Sequence, residues 1–413
     1  MVITVIGGGA SGCVAAIGAA RAAKDAGVRA RVVILEKLPV LLKKIPATGN
    51  GRCNLLNREP APDRYHGDAG IFERVFSRSG YDSLAGFYNS LGLRLAGEEG
   101  GRIYPASFRA ESVVCALERE IRRLGIIAVT GCRVTGVRKT GGGFEIDTDA
   151  GVRRSDAVII AGGGRSSPAH GPDGSAFALA KSLGARITPF FPALTPLVLK
   201  EKNPNLKGTR LRGSIGIISG GATVGSSAGE LQFTDYGVSG IPALDVSGPA
   251  AKALASGEVR ARITTGCFAD EKDAAEALRG LFGKYPDEPA AELLSSFIPR
   301  KLAIARLKNC GIGTESKAGE ITGGVFDKLC SLIYSETFTV AGVRGYNDSQ
   351  VTAGGIAGES LTEDLMLISA PGAFACGEVL DVDGVCGGYN LTFAAASGLL
   401  AGTAAAIRLK TAK

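Results

Sequence analysis

The sequence predicts an α/β fold in which one domain, assembled from both ends of the chain, is interrupted by an insertion of strands and helices. Three observations carry that expectation. The chain opens as strand, glycine turn, helix and strand over residues 2–35. A later buried strand, Ala157-Val158-Ile159-Ile160, runs straight into Ala161-Gly162-Gly163-Gly164. Between residues 189 and 345 the texture changes to short punctuated segments, and it changes back after 349. At 413 residues the chain also exceeds one average domain.

The elements follow in order. Val2 to Ile6 is a short apolar run, Ser11 to Ala26 is Ala-rich and helical, and Arg31 to Leu35 is a second β-branched run. Residues 126–160 alternate in short segments around a Gly141-Gly142-Gly143 turn, which reads as a small antiparallel meander. Residues 190–266 are strands punctuated by Gly, Thr and Ser, a small barrel or sheet, and 270–308 are helical with Pro286, Pro289 and Pro299 as breakers. Phe338-Thr339-Val340 is a strand that closes the insertion. The last segment carries a buried strand around Ala373 to Cys376 and a small-residue helix, Leu391 to Ile407. The expected boundaries are 1–188 and 346–413 for the split domain, 189–268 and 318–345 for the barrel-like insertion, and 269–317 for a small helical domain.

Composition narrows the function classes. Hydrophobic residues are 45% and charged residues 21%, which excludes a disordered or fibrous chain. Sixty glycines without a G-X-Y period imply many tight turns and close approaches of backbone to ligand. The net charge of +7 is spread over 47 basic and 40 acidic residues. The densest basic stretch, Lys200, Lys202, Lys207, Arg210 and Arg212, has no interleaved aromatic for base stacking and reads as a solvated loop, so nucleic acid is not expected. Nine cysteines make no CxxC pair and no metal-ligand spacing, so no metal is expected; they read as reduced core residues of a cytoplasmic protein. The chain begins on a strand with no basic leader, and the C-terminal helix is Ala-, Gly-, Ser- and Thr-rich rather than Leu-rich, so neither export nor membrane insertion is expected.

The chemistry starts at Gly7-Gly8-Gly9-Ala10-Ser11-Gly12. The first glycine permits the tight turn, the second lets a pyrophosphate approach, and the third lets helix and strand pack. The helix start then faces the phosphates with its partial positive charge. Glu36, followed by Lys37, closes the second strand where a carboxylate accepts ribose hydroxyls, which fits NAD as well as FAD. The rest of the chain favours FAD. Gly162 and Gly163 after the second buried strand, and Cys376-Gly377-Glu378 near the end, suit one extended dinucleotide, with Glu378 placed for a ribitol hydroxyl. Gly387-Gly388-Tyr389-Asn390-Leu391 opens the last helix toward the flavin N1 and O2 edge. The stretch Lys43-Lys44-Ile45-Pro46-Ala47-Thr48-Gly49-Asn50-Gly51-Arg52-Cys53-Asn54 offers cations, short polar groups and glycines for an anion-binding, flavin-edge loop.

At these residues the sequence resembles the BaiN/RdsA family of bacterial NAD(P)/FAD-dependent oxidoreductases, the YhiN-like flavoproteins. The resemblance runs through Gly7–Gly12, Glu36-Lys37, Ala47–Asn54, Gly101-Arg102-Ile103-Tyr104-Pro105, Gly229–Thr234, Tyr236–Gly240, Val351–Gly355 and Gly377–Gly384 with Gly387–Asn390. It implies a Rossmann-like FAD domain split by an inserted β-barrel and a small helical domain. It further implies that Val134 touches adenine through its backbone and that Ala161, Gly162, Asp383, Asn390 and Leu391 lie along FAD. Asp235 stands where the family pattern has His.

No second strand-GxGxxG-helix is present, so NAD(P)H as donor would visit the cavity later used by substrate, in ping-pong order. The missing CxxC excludes a disulfide relay. The leading expectation is NAD(P)H-driven reduction of a small or medium apolar acceptor, an activated C=C such as a bile-acid enone by family analogy. The alternatives are an amine oxidase using O2 and a flavin-containing RNA-binding or RNA-modifying protein. Tyr104, Tyr236 and Tyr389 are the candidate proton donors, with Arg52, Arg102 or Arg109 to polarise a carbonyl. His66 and His170 are expected in surface loops, with no His base.

Overall fold

A computed structural model describes residues 1–411. The chain divides into two compact units, residues 1–191 with 350–413, and residues 192–349.

The first unit is built on a five-stranded parallel sheet. β1 (Val2–Ile6) pairs on one side with β2 (Arg31–Leu35) and on the other with the strand Ala157–Ile160. Ala373–Ala375 and Ile127–Val129 form the edges. The inner strands are Val- and Ile-rich and buried because helices cover both faces of a parallel sheet. Ile127–Val129 was expected in the meander but joins the parallel sheet instead. The antiparallel meander is the three strands Val134–Thr140, Gly143–Thr148 and Gly151–Ser155.

Helix α1 (Ala10–Asp25) and the C-terminal helix Tyr389–Thr411 pack on each other through small residues. A Cβ on Gly398 would meet the Ser11 carbonyl oxygen at 2.6 Å, and one on Gly402 would overlap the Ala15 carbonyl. Glycines four residues apart therefore set how closely the two backbones approach. By length and composition this helix could cross a membrane. Its face toward α1 is committed to that packing.

The second unit is a closed antiparallel barrel of Leu197–Leu199, Gly237–Ser239, Ala222–Phe233, Arg210–Ser219, Val259–Thr265 and Ser335–Val343. Helices Glu271–Lys284, Ala290–Leu294, Arg300–Asn309 and Gly323–Tyr334 share one hydrophobic core with it, including Ile215, Leu231, Leu278, Leu302 and Leu329. The α/β class and the barrel are as the sequence leads one to expect.

Candidate cofactor site

At the carboxyl end of β1 the chain turns through Gly7 at φ +109°, where a Cβ would meet the Ala161 carbonyl oxygen at 2.5 Å. A Cβ on Gly12 would overlap the Gly7 carbonyl oxygen. Gly9 is different: its φ is −76°, and a Cβ there would meet nothing within 4 Å. Two glycines are thus fixed by protein packing, and the third faces open space. Helix α1 starts at Ala10 with no side-chain cap and no acid in its first turn, so Ala10, Ser11 and Gly12 present the positive end of the helix beside that space.

Glu36 is 9% exposed, and its carboxylate accepts from the Gly8 N–H at 2.6 Å and the Leu38 N–H at 2.8 Å. These bonds orient the group and leave lone pairs for ribose hydroxyls. The Cys132 N–H donates to the Glu36 carbonyl, which brings the segment leading to Val134 alongside the end of β2. Lys37 points to Asp173 instead, at 2.6 Å, and Arg133 shares that carboxylate at 3.0 Å.

On the other side of β1, Ala161 continues the strand, and a Cβ on Gly162 would press on Ala176 at 2.9 Å. Gly163 takes φ +72°. Glu378 binds across three segments. It accepts from Lys44 Nζ at 3.2 Å and from the Thr352 N–H at 3.0 Å, and a Cβ on Gly164 would meet its Oε1 at 2.6 Å. Thr352 Oγ1 in turn accepts from the Arg165 and Ser166 N–H groups at 2.8 and 3.1 Å. Thr352 lies in the Val351–Gly355 segment but drew no role in the sequence, because a threonine in a glycine-rich stretch carries no spacing signal. Gly377 lies on Ser11, whose side chain would overlap a Cβ there.

The loop 48–54 is strained and specific. Gly49, Asn50, Gly51 and Cys53 all have positive φ, of 56°, 54°, 81° and 57°. Thr48 Oγ1 donates to the Ile45 carbonyl at 2.8 Å, and the Cys53 N–H to the Thr48 carbonyl at 3.1 Å. Non-glycine residues held in this region mark a conformation over-determined by its surroundings. Asn54 Oδ1 is buried without a hydrogen-bond partner, and a Cβ on Gly388 would meet it at 2.6 Å and the Leu56 carbonyl oxygen at 2.7 Å. The loop therefore abuts the start of the C-terminal helix. Thr392 Oγ1 accepts from the Asn57 N–H and donates to the Gly388 carbonyl, locking the two together. Asn390 bonds both the N–H and the carbonyl of Gly384, at 2.8 and 2.7 Å. Leu391 is partly buried against the same core, and Asp383 is 3% exposed.

Of the candidate proton donors, Tyr104 and Arg52 come together. Arg52 lies 4.6 Å from the Tyr104 ring centroid, donates to its hydroxyl at 3.3 Å and binds Glu98 at 3.0 Å. Tyr389 is in a different setting: its ring is buried beside Tyr65, and burial pushes its phenol up. Tyr236 is in the second unit with the Arg344 guanidinium 5.0 Å from its ring centroid, and neighbouring Asp235 pairs with Lys207 at 2.9 Å. His66 was expected in a surface loop but lies half-buried on the strand Tyr65–Gly67, because that strand pairs with Val382–Gly384 far away in sequence. Burial raises the Cys53 thiol to about 11 and the Cys376 thiol to about 12, so both are packing groups rather than nucleophiles.

A glycine-limited turn, an uncapped helix start beside open space and an oriented carboxylate at the end of the adjacent strand fit a bound dinucleotide. With the split parallel sheet, they define a Rossmann-type dinucleotide-binding fold. The chain belongs to the HI0933-like family, whose model, described as HI0933-like protein Rossmann domain, matches residues 1–404. It is 39% identical over 414 residues to the 3-dehydro-bile acid delta(4,6)-reductase of Clostridium scindens, covering 98% of this chain and 99% of that one. It is 24% identical to the ribosomal RNA dihydrouridine synthase of Escherichia coli, over 94% of each. Among solved structures, 3-ketosteroid delta1-dehydrogenase from Sterolibacterium denitrificans matches with a TM-score of 0.52 at 12% identity, covering 98% and 99%, a likeness of fold.

Proposed function

We infer that this protein is an FAD-dependent reductase of an activated C=C in a steroid-like enone, with NAD(P)H as the hydride donor. The observation that carries the reading is the end-to-end match at 39% identity to a bile acid reductase. FAD, when bound, supplies the hydride chemistry. In this reading α1 and Gly9 hold the pyrophosphate and Glu36 the ribose. The segments around Ala161–Gly163, Lys44–Glu378 and Val134 line the length of the cofactor, and the loop Thr48–Asn54 and residues Asp383 and Gly388–Leu391 meet its ring. Arg52, stacked on Tyr104 and anchored by Glu98, is the cation available to polarise a substrate carbonyl.

A second reading has a specific observation in its favour. Two relatives named ribosomal RNA dihydrouridine synthase match over 94% of their length at 24–25% identity. Saturating the C5=C6 bond of uridine is also reduction of a C=C conjugated to a carbonyl, so the same cofactor arrangement would serve either acceptor.

Anaerobic titration decides the donor, and a panel decides the acceptor. NADH or NADPH should bleach the bound flavin, and a 3-oxo-4-ene steroid should restore its colour. A flavin that neither nicotinamide bleaches sinks the NAD(P)H assignment. Recovery of colour with unmodified ribosomal RNA, but with no enone, replaces the steroid reading by the second.

A further inference from the structure

Residues 164–174 form a loop closed at its neck, where the Gly174 N–H donates to the Gly164 carbonyl at 3.0 Å. Compact loops with joined ends are frequent carriers of function. The root of this one follows the strand Ala157–Ile160, and Ala161 and Gly162 lie against Gly7, the first glycine of the turn after β1. Its body reaches the segment after β2. The Ser166 carbonyl accepts from Lys44 Nζ at 3.4 Å, and a Cβ on Gly171 would meet the Leu38 side chain at 3.1 Å. Because β1 lies between β2 and the strand Ala157–Ile160 in the sheet, the loop spans the carboxyl end of β1, where Gly9 faces open space.

Two kinds of attachment hold it. Near the root the bonds are neutral, with Thr352 Oγ1 accepting from the Arg165 and Ser166 N–H groups. At the far side they are ionic: Asp173 Oδ2 takes Lys37 at 2.6 Å and Arg133 at 3.0 Å. Asp173 Oδ1 meanwhile accepts from the Ser175 N–H and hydroxyl at 3.0 and 2.6 Å, at the start of the helix Ser175–Ser182. Burial works to raise the Asp173 pKa, but the bonds from Lys37, Ser175 and Arg133 outweigh it and keep the group charged. Both cations stand at the adenosine end of the site. Lys37 follows Glu36, and Arg133 lies between Val134 and Cys132, whose N–H donates to the Glu36 carbonyl.

We propose that residues 164–174 are a strap over the adenosine half of bound FAD, latched by Lys37 and Arg133 onto Asp173, and that opening this latch governs release of the cofactor. The proposal rests on the cofactor path given above. Lys37 and Arg133 are positioning residues, acting through Asp173 and not on the cofactor. Partly exposed ion pairs are individually weak and are screened by salt, which suits a contact that must open. The neutral bonds to Thr352 stay whole as it does. Gly163 and Gly174, at φ +72° and +83°, let the neck turn without a Cβ in the way.

The test is the rate at which holoprotein gives up FAD to an excess of a scavenging apoprotein, read by flavin fluorescence. K37M/R133M should release FAD about three- to tenfold faster than wild type, and D173N, which keeps an acceptor for Ser175, should do the same. The triple variant should be no faster than either, within about twofold, because all three side chains serve one contact. K37R should stay within about twofold of wild type. Raising NaCl from about 0.05 to about 0.5 M should speed release from wild type and not from the triple variant. Hydrogen exchange at amides 167–172 should quicken in K37M/R133M while that of Ala157–Ile160 is unchanged. Wild-type release from K37M/R133M overturns the latch. Effects that multiply in the triple variant also overturn it, because Lys37 or Arg133 would then touch the cofactor directly. Wild-type apoprotein that takes up no FAD overturns the cofactor path and the strap together, an outcome visible before any variant is made.

Discussion

Two helices of the first unit begin at glycines and have no acid in their first turns, yet they are made in different ways. The turn before α1 is mostly local: strand, Gly7, Gly9, Gly12 and helix lie in one run, and the atom that forbids a Cβ at Gly12 belongs to Gly7, although Gly7 itself is pressed by the Ala161 carbonyl. The turn before the C-terminal helix is not. Gly387 and Gly388 take φ +141° and +92°, and the groups packed on Gly388 come from Asn54 and Leu56, more than 300 residues away in sequence. The first turn is a property of a motif, and the second is a property of the folded chain. Damage to the first should act on the whole domain, whereas damage to the second should act on the site and leave the sheet intact.

Gly12→Val gives the largest expected effect. The side chain has no room against the Gly7 carbonyl, so the variant should purify without flavin and unfold at a much lower temperature, read by absorbance and thermal melting. Overpacking of this kind costs about 1–3 kcal/mol and here falls at the crossing of β1 and α1. If Gly12→Val holds FAD like wild type, the local turn is not the anchor.

Gly388→Ala should come next. A non-glycine residue in a left-handed conformation costs about 1–2 kcal/mol, and the contact with Asn54 adds to that. Circular dichroism should be unchanged while FAD dissociates about tenfold more readily. Melting as severe as that of Gly12→Val would erase the distinction between the two turns.

Thr392→Val separates packing from hydrogen bonding in the remote turn. It keeps the shape but leaves the buried Asn57 N–H without its acceptor, at a cost of about 1–3 kcal/mol in denaturant unfolding. A variant as stable as wild type would show that this link does not hold the helix start to the loop.

Gly9→Ala sharpens the comparison from the other side. The methyl enters open space at an allowed φ, so unfolding should change by no more than about 0.5 kcal/mol. FAD affinity should nevertheless fall by about tenfold if the pyrophosphate passes there. Unaltered affinity would move the phosphate path elsewhere. The smallest effect is chemical: iodoacetamide at pH 8 should leave Cys53 and Cys376 unmodified in native protein while exposed Cys115 reacts, as mass spectrometry would show.

The sequence by itself determined β1, α1 and β2, the buried strand into Gly162–Gly163, the split of the domain and a small barrel or sheet in its insertion. Each rests on near-neighbour patterns: hydrophobic period, glycine spacing and proline breaks. It also picked out the loop Thr48–Asn54, because glycines and polar residues crowd together there. Tertiary structure alone decided which distant segments meet. It moved Ile127–Val129 from the meander to the edge of the parallel sheet, set Thr352 and Lys44 around Glu378, gave Tyr104 a partner in Arg52 and Tyr389 one in Tyr65, and carried His66 from an expected loop onto a strand opposite Asp383. The physical reason is that strand pairing and side-chain bonding between residues hundreds of positions apart leave no periodic mark on either segment. They exist only once the backbone hydrogen bonds of both have been satisfied in one fold.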